Sequence, residues 1–368
     1  MCAVMLMFIS TICSGKSTNR QRIEKLEDTL VKSKQPEIKL VYQHASPVIT
    51  VKHPDAAGNK FGFEGGSVVK IDSTYHLLTS EMIDNPMWVK MRLAHWTSTD
   101  KVNWKRIGTV RESSGEFDGK DPRAALWSPM VVWDSLDNRW NLFYVAYNSE
   151  PNIPGQFHLN MKGKIFRSMS DVVGKEGING PYTDKGIILS FDKDPDPWEG
   201  LQGTDSFYPY QVGGGWYAFY GSANTEKIPI EHWLVGYAKS ETNSIVGPWK
   251  RMSEKNPAKI EKIFIENPIV TKVAGGYMVI YDSQKSDALG WAFSKDGINW
   301  DEGQSLIIQP KEGLWSKDVR TVLGLIDEGN GKCTVFYTGF EQVPDWNRLL
   351  TGKGLETCAI GYVELKIE

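Results

Sequence analysis

Apolar and polar positions along this chain come in short alternating bursts rather than at the 3.6-residue spacing of helices, which predicts strands. Five bursts share one layout: a β-branched and aromatic run, a turn, then a second apolar run. They read FEGGSVVKIDSTYHLLTS, WSPMVVWDSLDNRWNLFYVAYNS, TDSFYPYQVGGGWYAFYGS, ENPIVTKVAGGYMVIYDS and DVRTVLGLIDEGNGKCTVFYTG. The copies open at Glu64, Trp127, Asp205, Glu266 and Asp318, a period of about fifty to eighty residues that suits one four-stranded unit with its loops. In the fourth copy Gly275-Gly276 separates strands over 265–273 and 277–281, a strong hairpin signal. Gly213-Gly214-Gly215, Asp137-Asn138 and Glu328-Gly329-Asn330-Gly331 hold the same place in other copies. Third strands are expected over 91–96, 164–168, 234–240, 289–293 and 358–363.

One such unit cannot bury its own apolar face, so the units must stack. The expected fold is all-β: a five-bladed β-propeller in a single domain, residues 39–368. The segment 41–51, with Val48-Ile49-Thr50-Val51 in it, stands before the first copy without a repeat of its own and is expected to close the ring against the last copy. Two turns, from Ser98 to Trp104 and from Ser294 to Trp300, resemble the Asp-box turn of sialidases but are one residue short. Asp100 and Asp296 therefore read as structural turn residues, with Trp104 and Trp300 packing between blades.

The 368 residues carry a formal charge of −3 with acids and bases interspersed, which leaves no electrostatic footprint for nucleic acid. Fourteen each of Trp, Tyr and Phe are a heavy aromatic load, most of it expected in the core, although propeller faces that bind sugars also need aromatic platforms. Residues 4–12 are apolar and run into Cys13, the pattern of an export signal over 1–13 similar to that of a bacterial lipoprotein. The expectation is an exported protein, periplasmic or on the outer membrane, with a lipid on Cys13. The bland alternative is a misplaced start in front of a cytosolic protein. Residues 14–38 then form a tether or a short helix, with Ile23, Leu26 and Leu30 at helical spacing. Cys333 and Cys358 either pair or stay as buried thiols; pairing demands specific Cβ geometry, which favours the thiols. His158 and His232 lack metal-ligand spacing, and no cofactor is called for.

In stacked blades the first strands line a central channel, so the five opening residues converge on one axial pocket. A ring of Glu64, Asp205, Glu266 and Asp318, with Trp127 and Arg320 beside it, is unfavourable unless it has a task. Like charges raise one another's proton affinity. Glycoside hydrolysis uses that combination, one carboxyl as acid and another as base or nucleophile.

The order of an acid, Trp127-Ser128-Pro129, Asp205 and Glu266-Asn267-Pro268 resembles the five-bladed propeller glycosidases of the arabinanase, levansucrase and invertase kind. The nearest is glycoside hydrolase family 43, whose phrases are an Asp in copy one, then Trp-Ala-Pro, Ile-Asp-Pro and Glu-Gly-Pro. The resemblance implies Glu266 as general acid, Asp205 orienting and tuning it, and Glu64 at the base position, where the family has Asp. Glutamate reaches about one methylene further, so the choice between direct attack and attack by water stays open. Each role has a plainer counterpart: Glu266 as a strand-end residue, Asp205 as a turn or cap, Glu64 as a hydroxyl ligand. Substrate contacts are expected from Trp127, from Asp121 and Arg123 at the rim, and from Asp318 and Arg320; residues 192–200 are expected to form a lip. The resulting expectation is an exo-acting hydrolase of arabinofuranoside, xyloside or galactoside type acting on plant or algal polysaccharide. A non-catalytic carbohydrate-binding propeller is the alternative. A glycoside phosphorylase stands third, because only Arg320, Lys317 and Arg123 are available to bind phosphate.

Overall fold

Gly213 and Gly214 both take positive φ, +56° and +85°, which is what a two-residue hairpin turn between twisted strands requires. They join Val212 to Gly215 in register, and the same device recurs along the chain. The computed structural model describes residues 36–151, 158–191, 193–227, 230–308, 315–350, 353–354 and 356–368. The expected signal over 1–13 with Cys13, and nearly all of the tether over 14–38, lie outside the described residues. Residues 38–368 form one compact unit.

After β1 (Ile38–Gln43), the described strands fall into four-stranded antiparallel groups in chain order. The first group is β2 (Gly62–Ile71), β3 (Thr74–Asp84), β4 (Lys90–Ser98) and β5 (Lys105–Glu112). The second is β6 (Ala125–Asp134), β7 (Arg139–Pro151), β8 (His158–Ser170) and β9 (Tyr182–Leu189). The third is β10 (Asp205–Val212), β11 (Gly215–Ala223), β12 (Trp233–Ser240) and β13 (Trp249–Arg251). The fourth is β14 (Glu266–Val273), β15 (Gly276–Asp282), β16 (Ala288–Ser294) and β17 (Gln304–Ile307). The last comprises β18 (Asp318–Gly329), β19 (Lys332–Phe340) and β20 (Cys358–Ile367), with a short helix, α1 (Trp346–Leu350), inserted between β19 and β20.

The missing fourth strand of the last group comes from the other end of the unit. β1 pairs antiparallel with β20, Ile38 opposite Ile367 and Gln43 opposite Val363. The closing strand is therefore residues 38–43, which overlap the expected segment 41–51 only at 41–43 and leave out 48–51. After Pro47, the Val48 and Ile49 amides both reach the Ile360 carbonyl, and the chain turns at once, with the His53 amide bonded to Thr50. Val48 and Ile49 are buried in the core of the first group, so their apolar character reports packing instead of a strand.

First strands neighbour one another in a closed cycle: β2 touches β6 and β18, and β10 and β14 complete the circuit. Cross-group hydrogen bonds bind the cycle. Ser67 Oγ donates to the Pro129 carbonyl at 2.9 Å and accepts from the Val131 amide at 3.1 Å. Aromatic side chains fill the spaces between groups. Trp104 stands edge-on to Phe336 at 5.8 Å, and Trp300 packs on Phe219 at 5.7 Å. Asp100 and Asp296 are the turn residues expected: Asp296 Oδ1 accepts from the amides of Ile298 and Asn299 at 2.9 and 2.8 Å. Cys333 and Cys358 are buried free thiols. They face Leu365 and Phe340 respectively, at opposite ends of the β19–β20 ladder.

Candidate active site

The residues after Glu64, Trp127, Asp205 and Glu266 are Gly65, Ser128, Ser206 and Asn267, with φ of +71°, +50°, +56° and +50°. At each of these places the pairing with the next strand slips. A bulge with a left-handed residue bends the strand and re-aims its side chain, and here it turns four opening residues towards one cavity. The fifth group uses a slip between Val319 and Val322 instead, bringing Asp318 and Arg320 to the same cavity. In the first group only glycine fits, because a Cβ on Gly65 would lie 2.7 Å from Ser128 Oγ.

Left-handed backbone at non-glycine residues costs about 1–3 kcal/mol and persists only where its surroundings hold it. Here a buried polar floor does so. The Ser128 amide donates to Ser80 Oγ at 3.1 Å, and Ser128 Oγ donates to Asn267 Oδ1 at 3.2 Å. Asn267 Oδ1 also accepts from the Tyr208 hydroxyl, while its Nδ2 reaches Thr321 Oγ1 at 3.4 Å. First strands of four groups are thus tied together beneath the carboxylates.

Above this floor lies a cavity of about 470 Å³ lined by Glu64, Asp205, Glu266, Asp318 and Arg320, within the size range of small-ligand sites. Arg320 Nη2 donates to Glu64 Oε1 at 2.8 Å. Its guanidinium lies 5.1 Å from the centre of the Trp346 ring. Asp205 is buried; its Oδ1 accepts from the Tyr147 hydroxyl and its Oδ2 from Trp233 Nε1 at 2.9 Å. Burial pushes the Asp205 carboxyl up to about 6 despite those two donors, with the Glu64 charge adding to the rise. Glu266 is held well above the ordinary carboxyl range, first by burial and then by the charges of Asp205 and Asp282, with Arg320 opposing. Burial also raises Asp318. For Arg320 burial works the other way, but Glu64, Asp282 and Glu266 outweigh it and keep the guanidinium firmly charged.

Five of the sequence candidates therefore meet: Glu64, Asp205, Glu266, Asp318 and Arg320, with Trp127 beside them. Asp121 and Arg123 do not line the cavity. Asp121 Oδ1 caps the Arg123 amide at 2.8 Å, and the Arg123 guanidinium pairs with Asp184 and lies 4.4 Å from the Phe166 ring centre. The Asp-Pro-Arg phrase is a turn whose arginine packs on the second group's outer strands. Residues 193–200 do not line the cavity either. They are tied to the third group instead: the Glu199 carboxylate accepts from Tyr220, from Arg251 Nη1 at 2.5 Å and from the Asp196 amide. His232 is bonded to the Trp198 carbonyl at 2.8 Å.

The walls were not foreseen. Trp88, Trp233, Phe264 and Trp346 give the cavity its aromatic sides, and Asn160, Gln202, Thr225 and Gln284 supply neutral polar groups. Trp88 is itself left-handed, φ +69°, and its carbonyl is caught by Trp127 Nε1 at 3.2 Å and Asn160 Nδ2 at 3.0 Å. A tryptophan two residues after Asn85-Pro86 was the one sequence signal available for this wall.

Comparison with known proteins places this geometry. A sequence model described as glycosyl hydrolases family 43 matches residues 44–288. No curated protein matches the chain in sequence. Among solved structures, Zg3597, a family 117 glycoside hydrolase of the marine bacterium Zobellia galactanivorans, is similar with a TM-score of 0.59 and 15% identity over 90% of each chain. The GH43_1 enzyme from Xanthomonas citri complexed with xylotriose has a TM-score of 0.53 and 13% identity, over 88% of this chain and 89% of that one. A GH130 protein, from a family of mannoside phosphorylases that contains hydrolases of β-1,2 mannosidic linkages in Candida mannan, has a TM-score of 0.56 and 13% identity, over 90% and 94%. At such identities the likeness shows the fold, that of the five-bladed β-propeller glycosidases. The sequence match spans most of the chain and includes Glu64, Asp205 and Glu266, so this protein is a glycosidase and belongs to glycosyl hydrolases family 43.

Proposed function

We propose that the protein is an exo-acting glycoside hydrolase that removes terminal sugars of arabinofuranoside, xyloside or galactoside type from plant or algal polysaccharide. The observation that carries the mechanism is the opposed setting of two carboxyl groups. Burial and the neighbouring acids raise the Glu266 carboxyl well above the ordinary carboxyl range, the direction needed by an acid that protonates a leaving oxygen. Glu64 is fixed by the arginine bond to its Oε1, leaving its second oxygen for the sugar side. In the reaction Glu266 gives its proton to the glycosidic oxygen as the C–O bond breaks. Glu64 either takes a proton from the attacking water or bonds to the anomeric carbon itself. Asp205, anchored by Tyr147 and Trp233, orients Glu266. Trp127 and the other aromatic walls stack on sugar faces, and one cavity of about 470 Å³ favours a terminal residue over an internal stretch of chain.

A ring of five four-stranded blades closed by β1 is the architecture this reading uses. We also place the protein outside the cytoplasm, on the apolar run before Cys13. Phosphorolysis has less support: Arg320 is taken up by Glu64, Arg123 by Asp184, and Lys317 is exposed, so among the described residues no basic cluster lines the cavity.

The test is activity of the protein, freed of residues 1–13, on aryl furanosides and pyranosides, with Glu266→Gln alongside. Aryl alcohol release that falls about 10²–10⁴-fold in the variant is the expected result. Activity that survives the substitution would overturn the assignment of the acid. Intact glycan binding with no turnover in either protein would leave the sugar-binding reading.

A further inference from the structure

The site holds one more carboxylate than the chemistry has used. Asp282 ends β15 directly opposite Glu266 in the strand register, where side chains share a face. It is 1% exposed and does not line the cavity, so it cannot touch substrate. Its Oδ1 accepts from the Gln284 amide at 2.8 Å, which accounts for one oxygen. Oδ2 is buried without a hydrogen-bond partner; Arg320 Nη1 stands off it at 4.0 Å. Arg320 therefore lies between two carboxylates, bonded to Glu64 on one side and facing Asp282 on the other, with Trp346 against its plane. A turn cap would need only the first oxygen, and burying a charge for that alone is costly.

We propose that Asp282 is a positioning residue of the glycosidase reaction, fixing Arg320 against Glu64 from behind and keeping the proton on Glu266 from the neighbouring strand. It rests on Glu266 being the acid. Glu266 is faced by Asp205 from β10, Asp282 from β15, Glu64 from β2 and Arg320 from β18, with the hydroxyls of Tyr147 and Tyr208 close enough to feel its charge. Asp282 is the one acid of this group that lies outside the cavity, and it meets the cavity only through Gln284 and Arg320, which line it. Burial raises the Asp282 carboxyl, while Arg320 and the Gln284 amide oppose that rise. In the proposed arrangement Asp282 carries the charge, facing Arg320 and bonded by the Gln284 amide, with the proton on Glu266.

The experiment compares pH profiles of kcat/KM for the wild type and Asp282→Asn on an aryl glycoside, with Glu266→Gln as reference. Removing the negative charge makes Glu266 a stronger acid, so the alkaline limb moves to lower pH. The ratio of kcat/KM at pH 8 to that at pH 6 is expected to fall about tenfold, and kcat to fall more than KM changes, because Arg320 no longer holds Glu64. A superimposable profile in a folded variant overturns the proposal, since a turn cap would alter stability alone. If Asp282→Asn does not fold because the buried Arg320 loses the charge behind it, Arg320→Gln is compared with Asp282→Asn/Arg320→Gln. A limb at lower pH in the double variant supports the proposal, and coincident limbs overturn it. Activity retained in Glu266→Gln would instead sink the acid assignment, which separates the two failures.

Discussion

Replacing Asp205 with asparagine is expected to stabilise the protein at neutral pH while disabling it. Burial pushes the Asp205 carboxyl from its ordinary 3.8 up to about 6, so the folded protein holds this proton more tightly than the unfolded chain does. The stability that follows is fully present below about pH 4 and is lost as pH rises through about 6. At about 1.4 kcal/mol per pKa unit, the loss comes to about 3 kcal/mol. Asparagine has no proton to lose. Its Oδ1 can accept from Trp233 Nε1, and its Nδ2 can donate to the Tyr147 hydroxyl oxygen, so both buried contacts of Asp205 keep a partner. The assay is two-state urea unfolding of wild type and variant at pH 4.5 and pH 7.5. The variant's advantage should be about 2 kcal/mol larger at pH 7.5, while kcat/KM at neutral pH falls about a hundredfold or more. A stability difference that is the same at both pH values would refute the reasoning, because Asp205 would then not be a carboxylate ionised against its burial.

Two further expectations test the surroundings of the site. Trp346→Ala removes the ring lying against Arg320 and beside Trp88; KM should rise about tenfold with kcat changed far less, as expected for about 1–1.5 kcal/mol of stacking, and an unchanged KM would exclude Trp346 from the substrate wall. Asp296→Ala breaks the turn bonds to Ile298 and Asn299, and thermal unfolding should show a loss of about 1 kcal/mol with kcat/KM unaltered. A fall in kcat/KM there would contradict the structural reading of that turn.

How much of this was legible in the chain depends on the distance over which each feature is decided. The second strand of each repeat, the glycine hairpins and the Asx turns are local, set by residues within about ten positions of one another. The five opening residues could be aligned because each begins its repeat, and the bulge after four of them is written in Gly65, Ser128, Ser206 and Asn267. Asp121 and Arg123 misled because an Asp-Pro turn looks the same at a rim as on an outer strand; the contact with Asp184, sixty-one residues on, decided it. The expected closing segment, 41–51, meets the true strand only at 41–43, because its more apolar run, 48–51, is core packing. Residues 38–43 expose alternate positions and become a strand by pairing with β20, at the far end of the chain.

By itself, then, the sequence determined the repeat, the all-β character, the family and the three acids that open copies one, three and four, since strand period, turn residues and short motifs act along the chain. Only the tertiary structure decided which side chains share the cavity. Trp88 comes from a loop of the first group and Trp346 from an insertion in the last, with Asp282 behind them at the end of a second strand and outside the cavity, and no spacing in sequence relates them. Ring closure brings them together, and burial there, more than residue type, gives Glu266 and Asp205 proton affinities that no free glutamate or aspartate would have.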